Sequence, residues 1–382
     1  MVIAGCESSV GSGSDAGRDA GRLVGDDAQV DAFVPLDAPI DAPVTADGGP
    51  CADACEADEA CVRGVCVPTC GADLGGFDAA LSAGLSPVTS YCRTPVAFTV
   101  VTSGTERNLY EMSASTDALT TTFTVSRATI TEEGGVEGMS TVGTATHTAG
   151  MDDMVFAGGY LVVSADESRA AFGYTTTRAG FVGGVFDLAT GSGEVSELAA
   201  HGNFDATFVD ADTVVINGQG LGTHQDGQGL YAFEPGAASS ARQLAREMGD
   251  FSGGVALYAA HDLVLAGGAS LTGSQVFAIP RAMLMEDRAT PLALEPTAAI
   301  ARFDLSSSFT LLSGGRIATV AYTPEYEVAA IEVRALSVAM DGAVTIGAPS
   351  QLTTGAVFRA VTPVDDEHVL LSFAGGLLLV RE

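Results

Sequence analysis

Lysine and tryptophan are absent from the 382 residues, and all 17 basic residues are arginines. Set against 48 acidic residues, the arginines leave a formal net charge of −31. Binding to nucleic acid or to an anionic membrane surface by charge needs a basic patch, so this composition disfavours both.

Sequence motifs of common catalytic sites are missing as well. The five histidines are scattered, with no His-x3-His pair, and no Gly-x-Ser-x-Gly elbow occurs. His261 and His368 precede equivalent apolar runs, where solvated turn residues are the simpler interpretation and a shared metal is the alternative. Neighbours such as Asp365 and Asp366 face opposite ways on a strand and cannot work together as acid and base. We therefore predict no metal and no cofactor. The sequence favours a non-catalytic protein and leaves enzymatic activity open.

The chain begins with a short segment, residues 1–6, that ends at a single cysteine. Ile3-Ala4-Gly5-Cys6 resembles the lipobox of bacterial lipoproteins, in which small residues precede a lipid-modified cysteine. The resemblance implies a truncated signal peptide, lipidation of Cys6 and an outer-membrane lipoprotein that faces the periplasm or the cell surface. A free thiol after an accidental match is the alternative.

Residues 7–50 repeat Asp-Ala pairs among Gly, Ser and Pro. Low hydrophobicity with one dominant charge sign cannot offset the entropy of ordering. We predict a disordered, extended linker that holds the rest of the chain away from the membrane.

Residues 51–92 contain six cysteines, namely Cys51, Cys55, Cys61, Cys66, Cys70 and Cys92. Five of them fall within twenty residues, which predicts a disulfide module in an exported chain, with zinc as the alternative. Six cysteines allow 15 connectivities. We favour two bridges within 51–70 and one that joins Cys70, or a neighbour, to Cys92. The spacing and the Val62–Cys66 turn resemble Cys-rich spacers of myxobacterial-type lipoproteins, which implies location only.

Residues 93–382 carry a short apolar run about every fifty residues, each after a turn rich in Gly or Asp. The runs are Tyr160–Val163, Thr213–Ile216, Leu263–Leu265, Ile317–Val320 and Val369–Leu371. A fixed period built from several short strands predicts an all-β propeller, with six four-stranded blades and with five or seven as alternatives. The Gly-Gly doublets and Tyr/Phe strands resemble a degenerate kelch-type or quinoprotein-type propeller. The missing tryptophan excludes WD-type blades.

The last copy of the repeat is one strand short. We expect the two ends of the region to pair, with Val96–Val101 as the strand that fills the gap. We expect Arg281–Arg288 to be a surface loop, with a helical turn as the alternative. The loop from Asn217 to Gly229 contains His224 and Asp226, which are our candidate ligand-binding residues because propellers generally bind at the channel mouth.

These features predict a cell-envelope lipoprotein that displays a propeller as a non-catalytic binding or scaffold domain. The alternatives are a propeller enzyme that acts on glycans or small molecules and a TolB-like envelope-assembly factor. The expected partners are the membrane, through the lipid anchor, and a protein or glycan ligand, with the chain as a monomer. No nucleic acid is expected.

Overall fold

The structure is a computed structural model, and it describes residues 55, 59–62, 65–68, 70, 75–117, 120–148, 155–176, 181–198, 202–219, 228–233, 242–246, 248, 253–270, 273–303, 306–322, 328–355, 357–358, 360–373 and 375–382. All of them belong to one unit that spans residues 45–382. Cys6, the predicted linker and Cys51 lie outside the described residues. Among the described helices, none has the length and apolar character needed to cross a membrane.

The described chain consists mainly of β-strands, as predicted. The strands are β1 (Glu59–Val62), β2 (Val65–Pro68), β3 (Ser86–Tyr91), β4 (Ala97–Ser103), β5 (Glu106–Asp117), β6 (Thr120–Ile130), β7 (Val136–Thr148), β8 (Val155–Val163), β9 (Arg169–Thr176), β10 (Phe181–Asp187), β11 (Ser192–Leu198), β12 (Gly202–Phe208), β13 (Val214–Gln219), β14 (Gln228–Phe233), β15 (Arg242–Arg246), β16 (Val255–Tyr258), β17 (Leu263–Ser270), β18 (Gly273–Pro280), β19 (Leu292–Ala293), β20 (Ala301–Phe303), β21 (Ser306–Leu312), β22 (Arg316–Tyr322), β23 (Val328–Val338), β24 (Val344–Ile346), β25 (Ser350–Thr354), β26 (Ala360–Pro363), β27 (His368–Phe373) and β28 (Gly376–Arg381). The α-helices are α1 (Gly75–Ser82) and α2 (Arg281–Met285).

After β3 the strands form antiparallel groups that run up and down like propeller blades. Strands β4–β7 and β8–β11 are the halves of one eight-stranded sheet. The last strands of the two halves, β7 and β11, meet at a parallel bridge between Thr144 and Ser192. The next groups are β12–β15 with β19, β16–β18 with β20, and β21–β24 with β25, called the β12, β16 and β21 sheets. With the closing sheet described next, the fold is a β-propeller. The count of six blades stays a prediction, because two groups share one sheet.

The closing sheet consists of β26, β27, β28 and β3, so its last strand comes from the other end of the region. Strand β3 runs antiparallel to β28, with Tyr91 opposite Leu377 and Ser86 opposite Arg381. The expected pairing of the two ends is confirmed. The propeller therefore includes residues 86–91, which precede the predicted boundary at residue 93.

The strand that closes the ring is not the predicted one. Most of Val96–Val101 lies in β4, the first strand of the eight-stranded sheet. The two-residue turn Gly104-Thr105 commits β4 to a hairpin with β5. The free edge of β28 is therefore covered by β3, the next strand upstream.

Strand β28 shows why the sequence contains unbroken apolar runs. Leu378 and Val380 pack in a core cluster shared with the β21 sheet, whereas Leu377 and Leu379 pack in a cluster shared with the eight-stranded sheet. All four are at most 1% exposed. A strand that is covered on both faces carries apolar side chains at every position instead of alternating ones.

Helix α1 and the residues after it pack into the propeller core, which the sequence did not predict. The Gly84 N–H donates to Leu81 O at 2.9 Å and the Leu85 N–H donates to Ala80 O at 3.0 Å. With Gly84 at a φ of +80°, this is a Schellman motif that ends the helix. Ala80 and Leu85 are buried in the cluster between the closing sheet and the β21 sheet.

Four of the five apolar runs occupy equivalent strands. The runs that begin at Thr213, Leu263, Ile317 and Val369 lie in β13, β17, β22 and β27, the second strands of their groups. The run at Tyr160 lies in β8, a first strand, so this copy of the predicted repeat is one strand out of register. Composition does not separate first from second strands, because both are buried.

The segment after β18 is helical, so the interpretation of Arg281–Arg288 as a surface loop is wrong. Helix α2 covers its first five residues. Leu284 is 1% exposed and packs in the core cluster between the β12 and β16 sheets. This single buried side chain docks the helical turn on the propeller.

Two disulfide bonds join described residues of the predicted Cys-rich module. Cys55 is bonded to Cys66, and Cys70 is bonded to Cys92, the residue that follows β3. The predicted disulfide bonding is confirmed, and the Cys70–Cys92 bridge is the one that we favoured. Of Cys61 the structure describes only the backbone.

Candidate functional site

The candidate ligand-binding residues His224 and Asp226 lie outside the described residues, in the connection between β13 and β14. Gln219 ends β13 and pairs with Gly202 at the start of β12, so this connection leaves from that end of the β12 sheet. The first side chains that the structure describes from this end are those of Asp205 in β12 and Asn217 in β13, which pair directly.

Asp205 lies next to a β-bulge in β12, the first strand of its sheet. Its Oδ1 accepts the Ala206 N–H and its Oδ2 accepts the N–H of Val255 in β16, both at 2.9 Å. Burial raises the pKa of Asp205 to about 7, and the two N–H donors oppose this rise only in part. Part of the residue contacts solvent, which moderates the rise. Such a carboxyl group is a candidate functional group, although structural networks also shift pKa values.

Other side chains also join the β12 and β16 sheets along this boundary, which we call the seam. The Thr207 Oγ1 accepts the Leu257 N–H at 3.3 Å, and the Asn217 Nδ2 donates to Gly254 O at 3.0 Å and to Gly267 O at 2.7 Å. Among the described strands, no backbone ladder joins the β12 sheet to the β16 sheet. These side chains therefore supply hydrogen bonds to backbone groups at the boundary of the two sheets. Three links across the seam join residues that are 50 apart, which matches the predicted repeat.

The Asp205 carboxyl group is the part of the seam that can interact with a ligand. Among the described residues, no charged group contributes to the pKa of Asp205, so its carboxylate has no cationic partner within that part of the chain. The group can therefore take up a proton or accept a cationic or hydrogen-bond-donating group of a ligand. Sequence reasoning missed Asp205, because only the bulge and the contact with Val255 distinguish it from the other acidic residues.

The turns between first and second strands, at the other end of the sheets, carry ion pairs between neighbouring groups. Arg107 at the start of β5 contacts Asp365 in the turn before β27 at 2.7 Å. Arg169 at the start of β9 contacts Asp212 in the turn before β13 at 2.9 Å. Partly exposed pairs of this kind contribute roughly 0.2–1 kcal/mol each. These turns thus join neighbouring groups of strands.

An open groove of about 670 Å³ lies at this end, between the β21 sheet and the closing sheet. It is lined by Ser313, Gly314, Arg316, Asp366, Glu367, Arg381 and Glu382. Both guanidinium groups already have carboxylate partners: Arg316 contacts Glu382 at 3.1 Å, and Arg381 contacts Glu367 at 3.0 Å. A ligand would have to displace these pairs, so we assign no ligand to the groove.

The two histidines at equivalent turns have separate partners. The His368 Nδ1 lies 2.9 Å from Asp365 Oδ1, and the His261 ring lies edge-on to Tyr258 with centroids 4.8 Å apart. Within the described ranges, the possible metal ligands that cluster are Cys55, Glu59 and Cys66. The sulfurs of this set are bonded to each other, so they are not thiolate ligands.

A hydrogen-bonded pair of a buried tyrosine and a half-buried glutamate links the halves of the eight-stranded sheet. The Tyr110 Oη donates to Glu167 Oε2 at 2.5 Å, and the Asn108 Nδ2 donates to the same carboxylate at 3.0 Å. Burial and the hydrogen bond to Glu167 raise the pKa of Tyr110 and keep it a neutral phenol. Tyr110 is 1% exposed, so it serves the packing of the sheet and cannot reach a substrate.

No protein-family profile and no curated protein sequence matches the chain. Solved structures similar to it include a WD40 domain from Toxoplasma gondii coronin, with TM-score 0.42, 9% identity and coverage of 77% of this chain and 82% of that one. A putative TolB from Agrobacterium tumefaciens has a TM-score of 0.40 and 13% identity, with coverage of 75% of this chain and 88% of that one. The β-propeller domain of the Trilobed protease from Pyrococcus furiosus has a TM-score of 0.35 and 13% identity, with coverage of 74% of this chain and 94% of that one. These similarities are too weak to assign a function.

Proposed function

We propose that the protein is a cell-envelope lipoprotein that displays its β-propeller as a binding or scaffold domain, on a tether anchored through Cys6. The observation that carries the proposal is the pair of disulfide bonds, Cys55–Cys66 and Cys70–Cys92, between the predicted tether and the ring. Disulfide bonds persist in oxidising compartments, which supports export from the cytoplasm.

The ligand, a protein or a glycan, binds the monomeric propeller at the end that carries the β13–β14 connection. Asp205 supports this choice, because it is an acidic group near that end for which the described residues supply no cationic partner. At the other end, the guanidinium groups that line the groove are already paired. A ligand with a cationic or hydrogen-bond-donating group therefore fits the first end better.

The anchor is tested by the intact mass of protein recovered from host membranes, after expression from a gene extended upstream to an in-frame apolar segment. We expect a diacylglyceryl or triacylglyceryl addition on Cys6, with the other six cysteines resistant to alkylation. Cys6→Ser is the matched control and should leave the protein soluble and unmodified. An unmodified wild-type protein with reactive thiols in soluble extracts would contradict both the anchor and the oxidising location.

An enzyme that acts on glycans or small molecules is the second candidate, since the raised pKa of Asp205 is also a property of catalytic acids. Turnover of a glycoside panel that Asp205→Asn abolishes while binding persists would favour this candidate. Co-purification with a partner lipoprotein would instead favour the envelope-assembly alternative.

A further inference from the structure

The strand that closes the ring is also the first propeller strand that the chain reaches after the Cys-rich module. Along the backbone, everything upstream of Ser86, including the predicted tether, is connected to the propeller through this strand. Tension on the N-terminal side of the chain would therefore act first on the pairing that holds the ring closed.

The register of β3 on β28 makes this pairing weak in that direction. Ser86, where tension enters β3, lies opposite Arg381 at the end of β28. If β28 is held from its C-terminal side, the force separates two strands at adjacent ends. Hydrogen bonds of the ladder then break one after another instead of sharing the load. Without a further link, the closing strand would be peeled away.

The Cys70–Cys92 bond changes where the force enters. Cys92 follows Tyr91, which lies opposite Leu377 near the start of β28. With the bond in place, tension passes from Cys70 directly to Cys92 and then into β4, so residues 71–91 carry none of it. The β3–β28 ladder is then no longer pulled apart from its Ser86–Arg381 end.

The bypassed segment is packed as part of the ring. The Tyr91 Oη donates to Gly134 O of the eight-stranded sheet at 2.7 Å, and Tyr91 is 7% exposed. Ala80 and Leu85 lie in the core shared by the closing sheet and the β21 sheet. Loss of this segment would open the sheet edge and uncover the core on both sides of β28.

We propose that the Cys70–Cys92 disulfide carries tension past the ring-closing strand and so protects that strand from tension on the tether. The protein thereby has a mechanical function, which is to hold the displayed domain closed while it is pulled. The inference rests on the proposed function only for the source of the load. The experiment below applies the load itself, so failure of the lipid anchor and failure of the bypass are distinguishable.

The test is optical-tweezers extension of the full chain between handles at its two termini. The Cys70→Ser/Cys92→Ser variant is expected to show an early step at low force, before the main unfolding of the propeller. The bond spans a sequence separation of 22, so the step should add at most about 75 Å of contour length. The wild-type protein should lack this step and should begin to unfold at a higher force.

Cys55→Ser/Cys66→Ser is the matched control. It removes the other described bridge, with a separation of 11, and should add at most about 37 Å while leaving the force at which the propeller unfolds unchanged. If the serine variants do not fold, wild-type protein reduced with dithiothreitol in the trap gives the same comparison on a chain that has already folded. The two lengths then identify which loop is released.

Two results would overturn the proposal. One is a first unfolding event in the oxidised wild-type protein at the same low force as in the Cys70→Ser/Cys92→Ser variant, which would mean that the bond does not protect the closing strand. The other is an unchanged force and length of the first event when Cys70–Cys92 is absent, which would mean that packing alone holds the closing strand.

Discussion

At the scale of single residues, the Asp205 carboxyl group departs strongly from its ordinary chemistry. Burial raises its pKa to about 7, whereas the unfolded value is about 3.9. Between these values the folded protein keeps the proton and the unfolded chain releases it. The free energy of unfolding therefore decreases as the pH rises through this window and changes no further above about pH 7, so far as this group is concerned.

Asp205→Asn should remove this pH dependence. Relative to the wild-type protein, the variant should gain on the order of 2 kcal/mol in the free energy of unfolding between pH 4 and pH 8, after allowance for the solvent contact of the residue. Urea titrations at several pH values measure the difference. Thr207→Val removes a hydrogen bond from the same seam and no ionisable group, so its difference from wild type should be constant. If the free energy of unfolding of Asp205→Asn differs from that of the wild-type protein by the same amount at every pH, the raised pKa of Asp205 is contradicted.

At the scale of elements, the sheets approach each other through glycine. A Cβ on Gly268 in β17 would lie 1.8 Å from the O of Met248, which follows β15 of the β12 sheet. No side chain can be placed at such a distance without displacement of the backbone. Gly268, the second glycine of the Gly267-Gly268 doublet, therefore limits how closely β17 approaches the segment that follows β15 of the β12 sheet.

Gly268→Ala should destabilise the propeller by about 2–3 kcal/mol, since the methyl group forces the two sheets apart. The matched control is Gly347→Ala, where the nearest atoms to an added Cβ are 3.6 Å away or more. The control should change the free energy of unfolding by less than about 0.5 kcal/mol. Denaturant midpoints measure both, and equal effects of the two substitutions would argue against the close approach.

At the scale of the whole molecule, closure of the ring depends on residues upstream of the predicted domain. Helix α1 and β3 cover the edge of β28 and contribute Ala80 and Leu85 to the core. A chain cut at the predicted boundary, residue 93, lacks both elements. Its β28 edge is an unpaired, apolar strand, which is a template for association.

Residues 93–382 expressed alone should therefore associate or aggregate. Residues 71–382 with Cys92→Ser, which keep α1 and β3, should remain monomeric. Size-exclusion chromatography with light scattering separates the two outcomes. A monomeric, stable 93–382 fragment would show that the upstream elements are not needed to close the ring.

The sequence alone determined the class of fold, because strand composition and a period near fifty are local properties of the chain. It also identified most second strands and predicted that Cys70 or a neighbouring cysteine bonds to Cys92, which the Cys70–Cys92 bridge confirms. It did not identify β3 as the closing strand, the helical turn that Leu284 docks, or Asp205 as the unusual acid. Those features depend on which segments meet across sheets, and edge pairing, burial and desolvation exist only once the ring has formed.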